Sequence, residues 1–146
     1  MDETKTAAEL FNAGCACSQA VLGVFADRLE LDRDQAMRIS AGFAGGMRMG
    51  EVCGAMTGAF MALGLAYCMN ECTTRDGRKA AYVAVEAFTE AFRERHGSIL
   101  CRDLLGCDIS TAEGMRIAEE KGLFSTKCPQ VVRDAAEILN ETLPRP

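Results

Sequence analysis

Four cysteines stand where helices are expected to begin. Cys17 and Cys53 each come three positions after a glycine, Gly14 and Gly50 respectively. Cys101 follows Gly97-Ser98, and Cys128 directly precedes Pro129, which suits an N-cap position. A helix N-terminus presents unpaired N–H groups and the positive end of the macrodipole. A thiol there ionises more readily, and the thiolate is both the nucleophile and the metal ligand. Two chemistries follow from such a set. One is dithiol–disulfide exchange by Cys17, Cys53, Cys101 and Cys128; the other is a metal-thiolate centre held by the same four, an iron–sulfur cluster or a zinc ion.

The chain holds eight cysteines in 146 residues, more than small buried hydrophobes would account for. Cys15 forms Cys-x-Cys with Cys17, and Cys107 lies six residues after Cys101. Either is a candidate auxiliary ligand or resolving thiol. Cys68 and Cys72 are four apart, so a helix would put them on one face. Core packing for Cys68 and a helix-end position for Cys72 are expected. No Cys-x-x-Cys occurs, which removes the zinc-ribbon, thioredoxin-like and c-type haem signatures. The single histidine, His96, reads as a surface cation at a helix C-terminus. Arg48, beside Gly42-Phe43-Ala44-Gly45-Gly46, is either solvated or available to an anion or a thiolate. That glycine run lacks the Gly-Lys-Ser/Thr of a phosphate-binding loop and reads as a turn.

The elements that must position these thiols are helical. Val21, Leu22, Phe25 and Leu29 recur at helical spacing, as do Ala36, Ile39 and Phe43. Thr73 or Thr74 caps a later helix with Tyr82, Val85, Phe88 and Phe92 inside and Gly97 as C-cap. Ser110-Thr111-Ala112-Glu113 has the form of a capping box. Pro129 opens a last helix through Val132, Ala135, Ile138 and Leu139. No segment alternates as a strand does, so the expected fold is an all-α multi-helix bundle spanning 1–146 as one domain.

Residues 52–70 contain no charge, a run of 19 that approaches a membrane span. Glycines 54, 58 and 64 dilute it, and acidic residues 51 and 71 flank it without a basic bias. A buried glycine-rich central helix is the better expectation. Gly50, Gly54 and Gly58 would give it a smooth groove for a helix of this chain or of a second subunit, and a homodimer is expected. The net charge of −5 and a pI near 4.9 exclude a nucleic-acid surface. Met1-Asp2-Glu3-Thr4-Lys5 shows no secretory pattern, so a cytoplasmic location is expected, with thiols kept reduced.

Three segments, Cys17-Ser18-Gln19-Ala20-Val21-Leu22, Gly42-Phe43-Ala44-Gly45-Gly46 and Cys53-Gly54-Ala55-Met56-Thr57-Gly58, resemble the redox-active C-GCAxxG-C-C family. The segments beginning at Cys101 and at Cys128 are similar to its third and fourth cysteine segments. The resemblance covers nearly the whole chain and points to Cys17, Cys53, Cys101 and Cys128. It implies a redox-active, oxidoreductase-like protein served by a redox partner protein or a small thiol. The family in turn resembles the split-Soret cytochromes c, dimeric helical proteins with haem and a proposed iron–sulfur site. Without Cys-x-x-Cys-His, haem is not expected here. A non-catalytic helical accessory protein, its cysteines merely packed, is the third reading.

Overall fold

A computed structural model describes residues 2–145. The fold is all-α. In chain order the helices are α1 (Glu3–Asn12), α2 (Cys17–Phe25), α3 (Arg33–Ser40), α4 (Gly54–Tyr67), α5 (Arg75–His96), α6 (Cys101–Leu105), α7 (Ala112–Glu120), α8 (Leu123–Thr126) and α9 (Cys128–Thr142). Among the described residues no strand forms; Val52 and Leu100 make an isolated antiparallel bridge.

Short polar side chains start several helices by accepting a backbone N–H that the helix itself cannot satisfy. Asp32 accepts from Gln35 at 2.9 Å ahead of α3, and Thr74 accepts from Gly77 at 2.9 Å ahead of α5. Ahead of α7 the cap is Thr111, which accepts from Gly114 at 3.0 Å. The expected box from Ser110 to Glu113 does not form, because the Ser110 hydroxyl donates to Asp108 at 2.6 Å instead. Gly97 ends α5 in the left-handed region, as expected of a C-cap glycine.

The centre of the bundle is α2 as much as α4. Every α2 residue from Ala20 to Phe25 is buried, whereas α4 is fully buried only over its first turns. The uncharged segment 52–70 is therefore not one buried helix. It begins as an extended stretch, turns helical at Gly54, half-exposes its far end and stops at Tyr67. Among the described residues no helix is long and apolar enough to cross a membrane. Phe25, Leu22, Met56, Leu63, Phe88, Phe92 and Leu139 fill the interior between α2, α4, α5 and α9. A smaller cluster of Cys101, Ile109 and Ala118, with Met115 and Phe124 beside it, forms where α6, α7 and α8 meet.

Two expected buried faces are rotated. On α5, Ala81, Ala84, Phe88 and Phe92 face inward, while Tyr82 is 52% exposed and accepts a hydrogen bond from Arg78 at 2.9 Å. On α3, Ala36 and Ser40 point inward, which leaves Ile39 57% exposed. In both cases small residues face the core because the helices pack closely, and the larger neighbours stand off that face.

The groove of small residues on α4 is filled from within the chain. A Cβ at Gly58 would lie 2.6 Å from the Ser18 carbonyl oxygen, so α2 packs backbone against backbone there. That surface is not open to a second subunit, and the groove no longer supports the expected homodimer.

Candidate functional site

Each of the four cysteines singled out by position does stand at a helix start. Cys17 is the first residue of α2, Cys101 of α6 and Cys128 of α9, and Cys53 is the N-cap of α4. All four line one cavity of about 190 Å³, whose walls are otherwise chiefly apolar: Leu104, Leu105, Ile109, Met115 and Phe124. None of the four is in a disulfide.

Backbone pairing fixes two of them. The Cys53 N–H donates to the Ile99 carbonyl at 2.8 Å, and the Cys101 N–H donates to the Glu51 carbonyl at 2.7 Å. These bonds flank the Val52–Leu100 bridge, so the segment entering α4 and the segment entering α6 hold one another in register. Cys17 is held by its own sequence neighbours. The Gln19 side chain accepts from the Ala16 N–H at 2.9 Å and donates to the Met37 carbonyl at 3.0 Å. Buried Ser18 donates to the Ser40 carbonyl at 2.7 Å. Ser18 and Gln19 thus tie the start of α2 to α3, a positioning role that spacing alone does not disclose.

Cys17 sits at two helix starts at once. Its sulfur lies against Gly54, the first residue of α4, where any Cβ would collide with it. The Cys53 thiol, as a donor toward it, is the largest influence lowering its pKa; the backbone N–H groups of Gly45, Ser18 and Gly54 act the same way, burial opposes them, and the net value is about 7. Cys53 moves the opposite way. As the donor to Cys17, and buried beside that sulfur, it is held well above the ordinary thiol range. Burial first, then the Cys17 charge, pushes Cys101 up to about 11 and Cys128 up to about 12. One thiol of the four is thus set to ionise near neutrality while its neighbours keep their protons.

The loop that supplies Gly45 has an unusual backbone. Gly45 and Gly46 at φ 63°, Met47 at 59° and Arg48 at 61° form a left-handed turn. For a residue with a Cβ that conformation costs roughly 1–2 kcal/mol, and here Met47 and Arg48 both adopt it. The turn brings the Gly45 N–H to Cys17 and places Arg48 at the cavity wall. The glycines announce a turn in the sequence; nothing there announces two left-handed non-glycine residues.

The other cysteines divide. Cys107 is close enough for its charge to raise Cys101 and Cys128, which makes it the nearer auxiliary thiol. Cys15 is half-buried and does not line the cavity. Cys68 and Cys72 are not packed or helix-end residues as expected but a disulfide, with Cα atoms 5.1 Å apart. α4 has already ended before Cys68, whose backbone leaves the helical region and lets the following turn fold back. Nor is His96 a surface cation. Its side chain stacks 4.5 Å from the Phe92 ring, is 6% exposed, and has its Nε2 3.0 Å from Asp134. Burial lowers its pKa despite that carboxylate.

The family described as "Putative redox-active protein (C_GCAxxG_C_C)" matches residues 15–142, which include all four cavity cysteines. The chain belongs to this family. No curated protein and no solved structure matches it significantly. A cluster or zinc ion would need several of these sulfurs turned to one point. Among the described residues no three His, Cys, Asp or Glu side chains are gathered to hold a metal ion. The donor set has the right chemistry for such a centre, but its arrangement does not fit one.

Proposed function

We propose that the protein carries out dithiol–disulfide exchange, with Cys17 as the attacking thiolate and Cys53 as the resolving thiol. The observation that carries this reading is the placement of Cys17 and Cys53 in one cavity at the start of α4: Cys53 is the largest influence lowering Cys17 to about 7, and Cys17 the largest raising Cys53.

Electrons and protons balance as follows. The Cys17 thiolate attacks a disulfide R–S–S–R′, forming Cys17–S–S–R and expelling R′S⁻. With the negative charge on Cys17 gone, the main influence holding Cys53 protonated disappears. The Cys53 proton passes to the departing thiolate, and the Cys53 sulfur then attacks Cys17, releasing RS⁻. The substrate has gained two electrons and the protein holds a Cys17–Cys53 disulfide. A dithiol protein or two small thiols restore it by the reverse exchange. Cys101 and Cys128, kept protonated, serve as neighbours in the cavity and not as first nucleophiles.

The test is trapping. Reduced Cys53→Ser protein treated with oxidised glutathione should accumulate glutathione on Cys17, seen by peptide mass mapping. The unaltered protein should pass through that adduct to a Cys17–Cys53 disulfide. Failure of both adduct and disulfide to appear at Cys17 would contradict the proposal.

The second reading is a metal-thiolate centre on Cys17, Cys53, Cys101 and Cys128, which share one cavity but would have to turn their sulfurs to a common point. Iron or zinc retained stoichiometrically through anaerobic purification, and lost when Cys101 is replaced by serine, would support it over exchange. On the exchange reading we place the protein in the cytoplasm, where small thiols are abundant enough to regenerate the dithiol, although the Cys68–Cys72 disulfide departs from the reduced thiols expected there.

A further inference from the structure

Thiol exchange does not account for the rest of the cavity wall. Leu104, Leu105, Ile109, Met115 and Phe124 make it apolar, and its volume is about 190 Å³. Small-molecule sites usually run from roughly 300 to 1,000 Å³, so this one suits a short ligand and not a dinucleotide or a macrocycle. One cation stands at its edge. Arg48 is brought there by the left-handed turn, and its guanidinium folds over Gly45, where a Cβ would lie 3.4 Å from Nη1. Arg102 nearby is neutralised by Glu51 at 2.8 Å. Among the described residues Arg48 has neither an ion pair nor a side-chain hydrogen bond, although its conformation is a costly one for an arginine.

We propose that the cavity binds a short aliphatic carboxylate, its chain against the apolar wall and its carboxylate on the Arg48 guanidinium. A planar guanidinium pairs with a carboxylate through two parallel hydrogen bonds, which makes it selective for that group over a neutral amide. A substrate of this class is an aliphatic cyclic disulfide bearing a carboxylate. Cys17 would open its ring, Cys53 would displace the second sulfur, and the product would be the open dithiol carboxylate plus the Cys17–Cys53 disulfide. Two electrons pass from the protein to the ring; one proton comes from Cys53 and one from solvent. The reactive half of this inference rests on the exchange reading above, and the binding half does not.

Octanoate and octanamide separate the two, since neither contains sulfur. Calorimetric titration of the reduced protein should show octanoate binding about tenfold or more tighter than octanamide, the advantage of a charge-assisted bond. Arg48→Gln should abolish that preference while leaving octanamide affinity unchanged, and Arg48→Lys should keep part of it. Equal affinities in the unaltered protein, an undiminished preference in Arg48→Gln, or no binding of either compound would overturn the inference. Failure of Cys17 to form adducts while octanoate still binds would count against exchange and leave the carboxylate site standing.

Discussion

The Cys17 sulfur rests against Gly54, the first residue of α4, so a thiol at the start of one helix sits on the positive end of another. A side chain at position 54 has nowhere to go, because the Ala44 Cα and the Phe43 carbonyl close the other side at 3.2 Å. Gly54→Ala should therefore displace the thiol from the N–H groups that stabilise its anion. We expect slower alkylation of Cys17 at pH 7 and a loss of about 1–3 kcal/mol in stability from overpacking. Site-resolved alkylation and urea unfolding measure the two effects separately.

Gly58 makes the same kind of contact one turn on, with the Ser18 backbone in place of a sulfur. Gly58→Ala should cost about 1–3 kcal/mol as well, since backbone yields less readily than a flexible side chain. Thermal unfolding should show the drop. Ser18→Ala tests the neighbouring tie: it removes a buried hydrogen bond to the Ser40 carbonyl, for a loss of about 0.5–1.5 kcal/mol.

The helix starts at the four cysteines are legible in the sequence because a glycine or proline stands within four residues of each one. That they meet is legible only through family resemblance; their separations along the chain say nothing of which bundle end they reach. Tyr82 and Ile39 mislead because hydrophobic spacing favours large residues, whereas close packing turns the alanines inward. Cys68 and Cys72 mislead because their spacing suits a helix, and the point where α4 stops is set by tertiary packing. The left-handed stretch at Met47 and Arg48 leaves no trace in composition, since the surrounding fold imposes it.

Cys101 and Cys128 should stay unreactive where Cys17 reacts. With values pushed to about 11 and about 12 by burial and by the Cys17 charge, both are protonated at neutral pH. At pH 7.5 iodoacetamide should label Cys17 at least tenfold faster than either, and unfolding in urea should erase the difference. Rapid labelling of Cys101 or Cys128 in the folded protein would show that the cavity does not protect them.

On the exchange reading, Cys17 is a thiolate near neutral pH because Cys53 donates to it. The most direct measurement is the rate of Cys17 alkylation from pH 5 to pH 10, read by mass spectrometry in the reduced protein and in Cys53→Ala. We expect a midpoint near about 7 in the unaltered protein, with reactivity rising as pH passes through it. In Cys53→Ala the midpoint should move clearly upward, because the largest lowering influence is gone while burial still raises the value. A Cys17 midpoint in the ordinary thiol range of about 8.5, or one unmoved by the loss of Cys53, would show that Cys53 does not activate Cys17.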